Sequence, residues 1–530
     1  MNNSTPVQWL DGKQSTAQPL LKLAEADNVA VALRTLKEGE EIVIGHNDNA
    51  TGEISSISLI IKERIMKGHK VALHEIPRGA KVTKYNQLIG VASESIAAGE
   101  SVHTHNLAFT ENDVSLKPEK HRKPTLVDCT DTFMGYQRPD GRVGTRNYIA
   151  VISSVNCSAT VANRIAAAFD GDALSTYSNV DGVAAFTHGT GCGMDAAGEG
   201  FQNLQRVLVG YARHPNVGGV LLVGLGCETS QIAGTLEAHR LASGPLLRTM
   251  NIQTTGGHVK TIARGVELIQ SMLDEANSIN RQPCPVSELT LALQCGGSDA
   301  WSGITANPAL GYAADLLVKQ GGTAVLAETP EIYGAEHLLT QRAADDSVAS
   351  DLMDRIAWWQ DYVKKNNGSL DNNPSPGNKL GGLTTILEKS LGAVAKGGST
   401  ELNGVFHYAQ QVDRKGFLFM DSPGYDPASV TGQIACGCNL VTFTTGRGST
   451  FGSKPSPCLK VATNTDMYLK LSDDMDINAG TIVSEGDSVE AVGRRIYKRL
   501  LEVASGDITL SEGHGLGDNE FVPWQIGATM

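Results

Sequence analysis

The chain has 530 residues, of which 41% are hydrophobic and 19% charged, so it is an ordinary folded protein that is too long for one hydrophobic core. Its net charge of −13, from 44 basic and 57 acidic residues, argues against a nucleic-acid-binding protein. The longest apolar runs are about half of a membrane span and the first residues do not resemble a signal peptide, so we expect a cytoplasmic protein without a membrane segment.

The first part of the chain predicts a small all-β domain. Residues 1–20 are polar and without periodicity, which is typical of a loose tail. From 21 to 108, short alternating strands such as EEIVIG and HKVALHEI are separated by regular turn signals. Residues 109–130 are charged, contain prolines and lack periodicity, which predicts a linker.

Beyond the linker the pattern changes to strand, glycine-rich turn and helix. Continuous apolar strands such as YIAVISSV are typical of a parallel sheet that is buried on both faces. A polar interruption at 276–287 predicts a boundary between a middle α/β domain, 131–280, and a C-terminal parallel-sheet domain, 281–530. A second interruption at 364–382 is rich in Pro, Gly and Asn, which predicts a long loop without regular structure.

The loops that follow the predicted parallel strands carry the candidate site, because ligands bind at the carboxyl ends of such strands. These loops are GLGCE, CGGSD, AETPE, DSPG and TTGRG. Their charged residues are Glu228, Asp299, Glu328, Glu331, Asp421 and Arg447. The guanidinium of Arg447 is suited to a carboxylate ligand, although a purely structural turn is the alternative.

Two histidines end the β domain, in the segment VHTHN. If His103 and His105 lie two residues apart on a strand, they project from the same face and can bind a metal or contact a substrate. The alternative is a pair of unrelated surface histidines.

The nine cysteines are spread from residue 129 to residue 458 without a small-domain spacing, which indicates reduced thiols and not a disulfide framework. Four of them fall in glycine- or asparagine-containing turns: Cys157, Cys192, Cys227 and Cys295. Thiolates at such turns could bind iron or an iron–sulfur cluster. Because they form no CxxC pair, we expect most of the four to be buried, inert thiols.

Several long motifs occur in order between about residues 135 and 485: VGTRNYIAV, GLGCE, QCGGSDAWSGITANPALGYAADLL, NPSPGNKLGGLTTILEKSLG, TTGRGSTFG and MDINAGTI. With these motifs the chain resembles the altronate/galactarate dehydratase family, and GHKVALHEI, VHTHN and AETPEIYGAEHLL are more similar to its altronate branch. The resemblance implies an N-terminal SAF-type β-clip domain, a middle domain that forms a homodimer, and a Rossmann-like C-terminal domain with a metal site. It also implies dependence on Fe²⁺, or on Mn²⁺ or another divalent cation.

The reaction implied by the resemblance is loss of water from D-altronate, which gives 2-dehydro-3-deoxy-D-gluconate. The proton beside the substrate carboxylate is poorly acidic, and a divalent ion can stabilise the charge that its removal creates. Asp299 and Glu328 offer hard oxygen ligands for that ion. The other assignments are Asn307 and Asn378 for the hydroxyl groups, Lys379 or Arg447 for the carboxylate, and His103, His105 and Glu331 for acid and base.

Three alternatives stay open at this point. The same chemistry could act on galactarate or on another aldonate or aldarate. An iron–sulfur cluster bound by cysteines could replace the mononuclear ion, as in aconitase-type hydro-lyases. The chain could also be a non-catalytic sugar-acid-binding protein, although the number of polar loops at strand ends argues against this.

Overall fold

A computed structural model describes residues 19–47, 54–111 and 130–526 of the chain. The predicted tail, 1–20, and the predicted linker, 109–130, lie almost entirely outside these ranges. Among the described helices, none combines the length and the apolar composition that crossing a membrane requires.

The N-terminal domain consists of short antiparallel strands, as predicted. The strands are β1 Leu20–Leu21, β2 Val29–Ala32, β3 Glu41–Asn47, β4 Ile54–Ile60, β5 Lys70–Ala72, β6 Lys81–Lys84, β7 Gln87–Ala92, β8 Ser101–Val102 and β9 Leu107–Ala108. They form a four-stranded sheet in the order β1-β2-β5-β8, the hairpin β3-β4 and a three-stranded sheet in the order β6-β7-β9.

The turn between β6 and β7 shows how the local sequence shapes this domain. Tyr85 and Asn86 have φ angles of 61° and 57°, which a two-residue hairpin turn requires and which asparagine tolerates well. The Asp27 carboxylate stabilises the turn, because it accepts hydrogen bonds from the backbone N–H groups of Tyr85 (3.1 Å) and Asn86 (2.8 Å).

The middle domain contains a parallel sheet in the order β13-β12-β14-β15. Its strands are β10 Thr132–Gln137, β11 Val143–Gly144, β12 Tyr148–Ser153, β13 Gly182–Phe186, β14 Val217–Gly224 and β15 Leu247–Asn251. Its helices are α1 Asn156–Ala166, α2 Glu199–Ala212, α3 Ile232–Ala238, α4 Ile252–Thr255 and α5 His258–Asn277. All six residues of β12 are buried, as expected for a strand covered on both faces.

The C-terminal domain is built on a seven-stranded parallel sheet in the order β19-β20-β18-β17-β21-β22-β23. The strands of this part of the chain are β16 Gln282–Pro285, β17 Thr290–Cys295, β18 Thr323–Leu326, β19 Leu402–Phe406, β20 Gly416–Met420, β21 Leu440–Thr445, β22 Cys458–Ala462 and β23 Ile477–Asn478. The helices are α6 Ala306–Lys319, α7 His337–Thr340, α8 Asp346–Lys365, α9 Pro376–Leu380, α10 Ile386–Val394, α11 Asp426–Cys436, α12 Thr465–Lys470, α13 Thr481–Ser484, α14 Val489–Ala504 and α15 Leu510–Gly513.

The strand order places a crevice at the centre of this sheet. After β17 the chain moves to β18 on one side, and it later returns past β17 to β21 on the other side. Loops that leave neighbouring strands in opposite directions open a binding crevice at the carboxyl ends. The fold is therefore the predicted multidomain α/β architecture, with an all-β N-terminal domain and a C-terminal parallel sheet.

The predicted interruption at 276–287 contains strand β16, which pairs antiparallel with β10 from the start of the middle region. Phe133 lies opposite Cys284 in this pairing. The two regions are thus joined by a shared sheet, in the order β11-β10-β16.

The prediction that 364–382 lacks regular structure is wrong. Helix α8 extends to Lys365, and α9 forms within the segment. Ser375 caps α9 by accepting a hydrogen bond from the backbone N–H of Asn378, and Pro376 occupies the first helical position. Both residues favour the start of a helix, and composition alone conceals this.

Candidate functional site

Three ionisable side chains meet beyond the carboxyl ends of β17 and β18. Cys295 is the last residue of β17, and Glu328 and Glu331 follow β18. One thiol or carboxylate atom from each lies within 4.8 Å of the others, and all three residues are buried. The predicted residues Glu328 and Glu331 are therefore brought together, and Cys295 adds a thiol to them.

Glu328 is held in an unfavourable state. Its φ angle of 72° lies in the left-handed region, which costs a residue other than glycine about 1–3 kcal/mol. Its side chain is 1% exposed, and neither carboxylate oxygen accepts a hydrogen bond from the described residues. Burial, followed by the nearby Glu331 carboxylate, raises the pKa of Glu328 well above its ordinary value. A buried carboxylate without donors indicates a ligand-binding role.

Two buried lysines supply positive charge to the group, and both were missed by the sequence analysis. The ammonium of Lys389 donates to Glu331 Oε1 at 2.6 Å, and the ammonium of Lys396 donates to Cys295 Sγ at 2.9 Å. Lys396 Nζ also lies 3.6 Å from Glu328 Oε2. Burial lowers the pKa of both lysines, but the neighbouring thiol and carboxylates raise it more, so the net pKa of each is raised.

These lysines could have been found from the segment EKSLGAVAKGG, where charged residues interrupt an otherwise apolar stretch. All nine residues of α10 are buried, including Lys389. A lysine on such a helix requires a buried partner.

Asp426 and Asn373 complete the surroundings of Glu331. Asn373 Nδ2 donates to Glu331 Oε1 at 2.8 Å, and Asn373 Oδ1 accepts from Lys389 at 2.7 Å. Asp426 is the half-buried first residue of α11. Burial, followed by the charge of Glu331, raises the pKa of Asp426 to about 7.

Asp299 lies outside the three-residue group, and its carboxylate is already saturated with donors. The donors are the backbone N–H groups of Trp301 and Ser302, the hydroxyls of Ser302 and Thr463, and the amide of Asn464, all at 3.0–3.1 Å. Gly446 is needed beside it, because a Cβ atom there would lie 2.1–2.5 Å from the Asp299 carboxylate. Asp299 thus anchors the loop after β17.

Asn307 and Asn378 also use their amides within the protein. Asn307 donates to the carbonyl oxygen of Gly392 at 2.9 Å and accepts from Thr444 at 2.6 Å. Asn378 donates to the carbonyl oxygen of Ser298 at 2.8 Å, which ties α9 to the loop after β17. A small internal cavity is lined by Asn307 and Asp299 together with Cys295 and Lys389.

The prediction that His103 and His105 lie on one strand is wrong. Strand β8 ends at Val102, because Asn106 accepts the backbone N–H of His103 (2.9 Å) and thereby starts a turn. His103 is half-buried, with Nε2 2.9 Å from the carbonyl oxygen of Lys379, and its ring stacks on His69 at 5.0 Å. Burial, followed by the charge of Lys70, lowers the pKa of His103 to about 4.

The remaining predicted residues are more accessible. His105 is exposed within the same turn. Lys379 is half-buried near the end of α9. The Arg447 side chain is exposed beyond β21, while its backbone N–H donates to the carbonyl oxygen of Gly297 at 2.9 Å.

The prediction that most of the four turn cysteines are buried is wrong. Cys157, Cys192 and Cys227 are exposed, and only Cys295 among them is buried. The eight cysteines in the described ranges are all free thiols.

The N-terminal domain docks beside the site through a buried charge cluster. Lys70 and Lys84 donate to the two oxygens of Glu388 at 2.9 and 2.8 Å, and Lys70 also donates to the carbonyl oxygen of Gly382 at 2.8 Å. All three charged side chains are at most 1% exposed. Glu388 immediately precedes Lys389 on α10, so the docking contact and the anionic group share one helix.

Three family models cover almost the whole described chain: the altronate/galactarate dehydratase SAF domain at residues 18–110, the D-galactarate dehydratase/altronate hydrolase second domain at 135–277, and the D-galactarate/altronate dehydratase C-terminal domain at 286–529. The altronate dehydratase of Bacillus subtilis (strain 168) is 36% identical, over 96% of this chain and 99% of its own length. The altronate dehydratase of Escherichia coli (strain K12) is 34% identical over the same shares. The L-threo-forming galactarate dehydratase of Escherichia coli (strain K12) is 34% identical, over 94% of this chain and 95% of its own length.

Proposed function

The chain belongs to the D-galactarate/altronate dehydratase family, and on that premise we propose that it removes water from D-altronate to give 2-dehydro-3-deoxy-D-gluconate. The observation that carries the proposal is the buried group of Cys295, Glu328 and Glu331 at the sheet crevice, with Lys389 and Lys396 beside it. This group places carboxylates, a thiol and fixed positive charges together, as removal of a proton beside a carboxylate requires.

The residues present fit a divalent metal ion. The two Glu328 oxygens lack donors, and the Cys295 thiol and the Glu331 carboxylate lie within reach of the same point. A set of carboxylate oxygens with one thiol suits Fe²⁺, and Mn²⁺ is the alternative. We propose Glu328 and Cys295 as the ligands and Asp299 as the residue that positions the loop. A divalent ion bound there would polarise the substrate oxygen atoms as a Lewis acid.

The chain's own residues handle the protons. The C2–H bond breaks as its proton passes to a base, the C2–C3 double bond forms, and the C3 hydroxyl leaves with a proton as water. We assign the base to Glu331, whose Oε1 is fixed by Lys389 and Asn373. Asp426, which is half-buried and beside Glu331, donates the proton to the leaving hydroxyl. The enol that results becomes the 2-keto acid.

The predicted histidines take a different place in this scheme. We propose that His103 positions α9, since its Nε2 contacts the Lys379 carbonyl oxygen. His105 is exposed, and we assign it no role in proton transfer. Lys379 and Arg447 stay the candidates for the substrate carboxylate, because they are the accessible cationic residues among those predicted.

The same chemistry on galactarate is the second candidate, because the galactarate dehydratase relative matches almost as well as the altronate relatives. A diacid has a carboxylate at each end and requires a second cationic contact. We further propose that the enzyme acts in the cytoplasm as a homodimer that forms through the middle domain.

The test compares D-altronate and galactarate side by side, with 2-keto acid formation as the readout. The protein is prepared without oxygen and loaded with Fe²⁺. We expect iron-dependent turnover of D-altronate. Turnover of galactarate alone would contradict the substrate but keep the chemistry, and inactivity toward both would contradict the proposal.

Two variants separate the assigned roles. We expect Glu328→Gln to lose the iron bound beside Cys295, and turnover with it, because the variant removes the buried carboxylate that lacks hydrogen-bond donors. We expect Glu331→Gln to retain iron but to lower kcat by about 10²–10⁴-fold, the usual contribution of a general base. Glu267→Gln, on the exposed face of α5, is the matched control and should change neither. Iron and turnover unchanged in Glu328→Gln would refute the ligand assignment.

A further inference from the structure

Three neighbouring strands of the middle domain each lead into a loop with one exposed cysteine. Cys157 follows β12 in the first turn of α1, Cys192 follows β13, and Cys227 follows β14. These strands are adjacent and parallel, in the order β13-β12-β14, so their carboxyl ends lie along one edge of the sheet. The other five cysteines in the described ranges are buried. Cysteine is among the most buried residue types, so three exposed thiols on one edge require a reason.

The backbone fixes the loop that carries Cys192 against its neighbours. The carbonyl oxygen of Thr190 accepts the backbone N–H of Asn156 at 2.9 Å, and the carbonyl oxygen of Gly191 accepts the backbone N–H of Ser230 at 3.1 Å. Position 191 must be glycine, because its φ is 96° and a Cβ atom would lie 2.3 Å from the carbonyl oxygen of Ser154. This loop therefore contacts both of the loops that carry the other two cysteines.

Glu228 fixes the third loop to the first. Its buried carboxylate accepts the hydroxyl of Ser154 at 2.8 Å and the backbone N–H groups of Leu225 (3.2 Å) and Gly226 (2.6 Å). The hydrogen bonds of the Glu228 carboxylate thus hold the Cys227 loop against the start of α1. The Gln253 amide in turn donates to Cys227 Sγ at 3.4 Å, a contact of the kind that tunes metal-bound sulfur.

We propose that Cys157, Cys192 and Cys227 bind an iron–sulfur cluster at this edge of the middle domain. A single tetrahedral ion with metal–sulfur bonds of about 2.3 Å would require sulfur atoms about 3.8 Å apart. Among the described residues, the three exposed sulfur atoms do not all lie within 4.8 Å of one another, which argues against a single ion. A cluster does not require so close an approach, because each cysteine binds a different iron.

Three cysteines leave one iron of a [4Fe–4S] cluster without a protein thiolate. That iron can accept an oxygen ligand from water or from a small hydroxy acid. The inference concerns a site distinct from the Cys295 group and does not depend on the proposed function.

The test uses the full-length chain, purified without oxygen and reconstituted with equal amounts of ferric and ferrous iron and with sulfide, which together supply the oxidation level of a [4Fe–4S]²⁺ cluster. Iron, acid-labile sulfide, the visible absorption spectrum and the electron paramagnetic resonance spectrum after reduction are measured on the desalted protein. We expect equal amounts of iron and labile sulfide, and loss of both to background in Cys157→Ser, Cys192→Ser and Cys227→Ser. The control Cys284→Ser replaces a buried thiol on β16 and should retain the cluster.

Absence of labile sulfide in the wild-type protein would overturn the inference, as would clusters that survive in all three variants. A disulfide between two of the three residues, or tight zinc in place of iron and sulfide, would also overturn it. Thermal unfolding of each variant shows whether loss of the cluster follows from loss of the fold. Cys295→Ser should keep the cluster spectrum, so that a failure at the Cys295 group is distinguishable from a failure here.

Discussion

Glu388→Gln should release the N-terminal domain from α10, because Glu388 is the sole carboxylate between two buried ammonium groups in the described contact. Glu388 also accepts the backbone N–H and the hydroxyl of Thr384, at 3.0 and 2.7 Å. Burial raises the pKa of Glu388, but Lys70 and Lys84 lower it further, so its net pKa lies well below the ordinary value. The carboxylate is therefore charged at neutral pH, and the variant leaves two buried charges without a partner.

The expected cost follows from that geometry. Removing one partner of a buried ion pair costs about 3–5 kcal/mol. At 1.36 kcal/mol per factor of ten, the opening equilibrium of the docked domain rises roughly 150-fold to 5,000-fold. Burial lowers the pKa of Lys70 to about 8 even though the Glu388 carboxylate raises it. Once that carboxylate is removed, Lys70 can lose its proton, which reduces the cost toward the lower figure.

Hydrogen exchange of the backbone amides in β5 and β6 measures this opening. The matched control is Lys67→Ala. Lys67 Nζ lies 2.5 Å from Asp466 Oδ2 across the same two domains, but the two side chains are exposed, by 40% and 74% respectively. An exposed pair contributes at most about 1 kcal/mol. The triple variant Lys70→Met, Lys84→Met, Glu388→Gln should regain most of the protection, since no charge stays buried. The reasoning is refuted if Glu388→Gln exchanges no faster than Lys67→Ala.

Two further predictions concern the interior. Burial lowers the pKa of His214 to about 3. As the pH falls, the His214 side chain is therefore protonated in the unfolded chain before it is protonated in the folded protein. The stability is kept above pH 6.5 and is lost as the pH falls toward 3. The free energy of unfolding, measured with urea, should therefore depend less steeply on pH between 6.5 and 4.5 in His214→Gln, by about 1.4 kcal/mol per pH unit. An unchanged slope would contradict the lowered pKa of His214. Gly446→Ala should displace the Asp299 carboxylate and destabilise the protein by about 1–3 kcal/mol, whereas Gly234→Ala in α3 meets no atom within 4 Å and should be neutral or stabilising. Equal unfolding temperatures for the two alanine variants would refute the role of Gly446.

The sequence was sufficient for the features that local patterns determine. Continuous apolar strands predicted the parallel sheets, and the rule for strand ends predicted that Glu328 and Glu331 share one crevice, where the structure brings them together. The same rule also selected Asp299, whose carboxylate accepts hydrogen bonds from its own loop and from the segment after β22. Whether a carboxylate oxygen stays free to bind a ligand depends on which donors other segments bring to it. The sequence of one loop does not contain that information.

The features that were missed depend on contacts between distant parts of the chain. Lys70 and Glu388 are separated by 318 positions, and neither segment alone indicates the other. Lys389 reaches Glu331 only because α10 packs against the turn that follows β18. The histidine prediction failed for a local reason, since a single Asn106 side chain was enough to end the strand.

The pairing of β10 with β16 also determines how long β10 lacks its partner strand during synthesis of the chain. Gly135 and Gln282 are partners in that ladder, so the ribosome must add about 150 residues after β10 before its partner strand exists. At about 5–20 residues per second, this interval lasts roughly 7–30 s. During it, β10 exposes an open strand edge of the type that other chains can pair with. Newly made middle domains should therefore be most prone to aggregate, and most dependent on chaperones, in that interval.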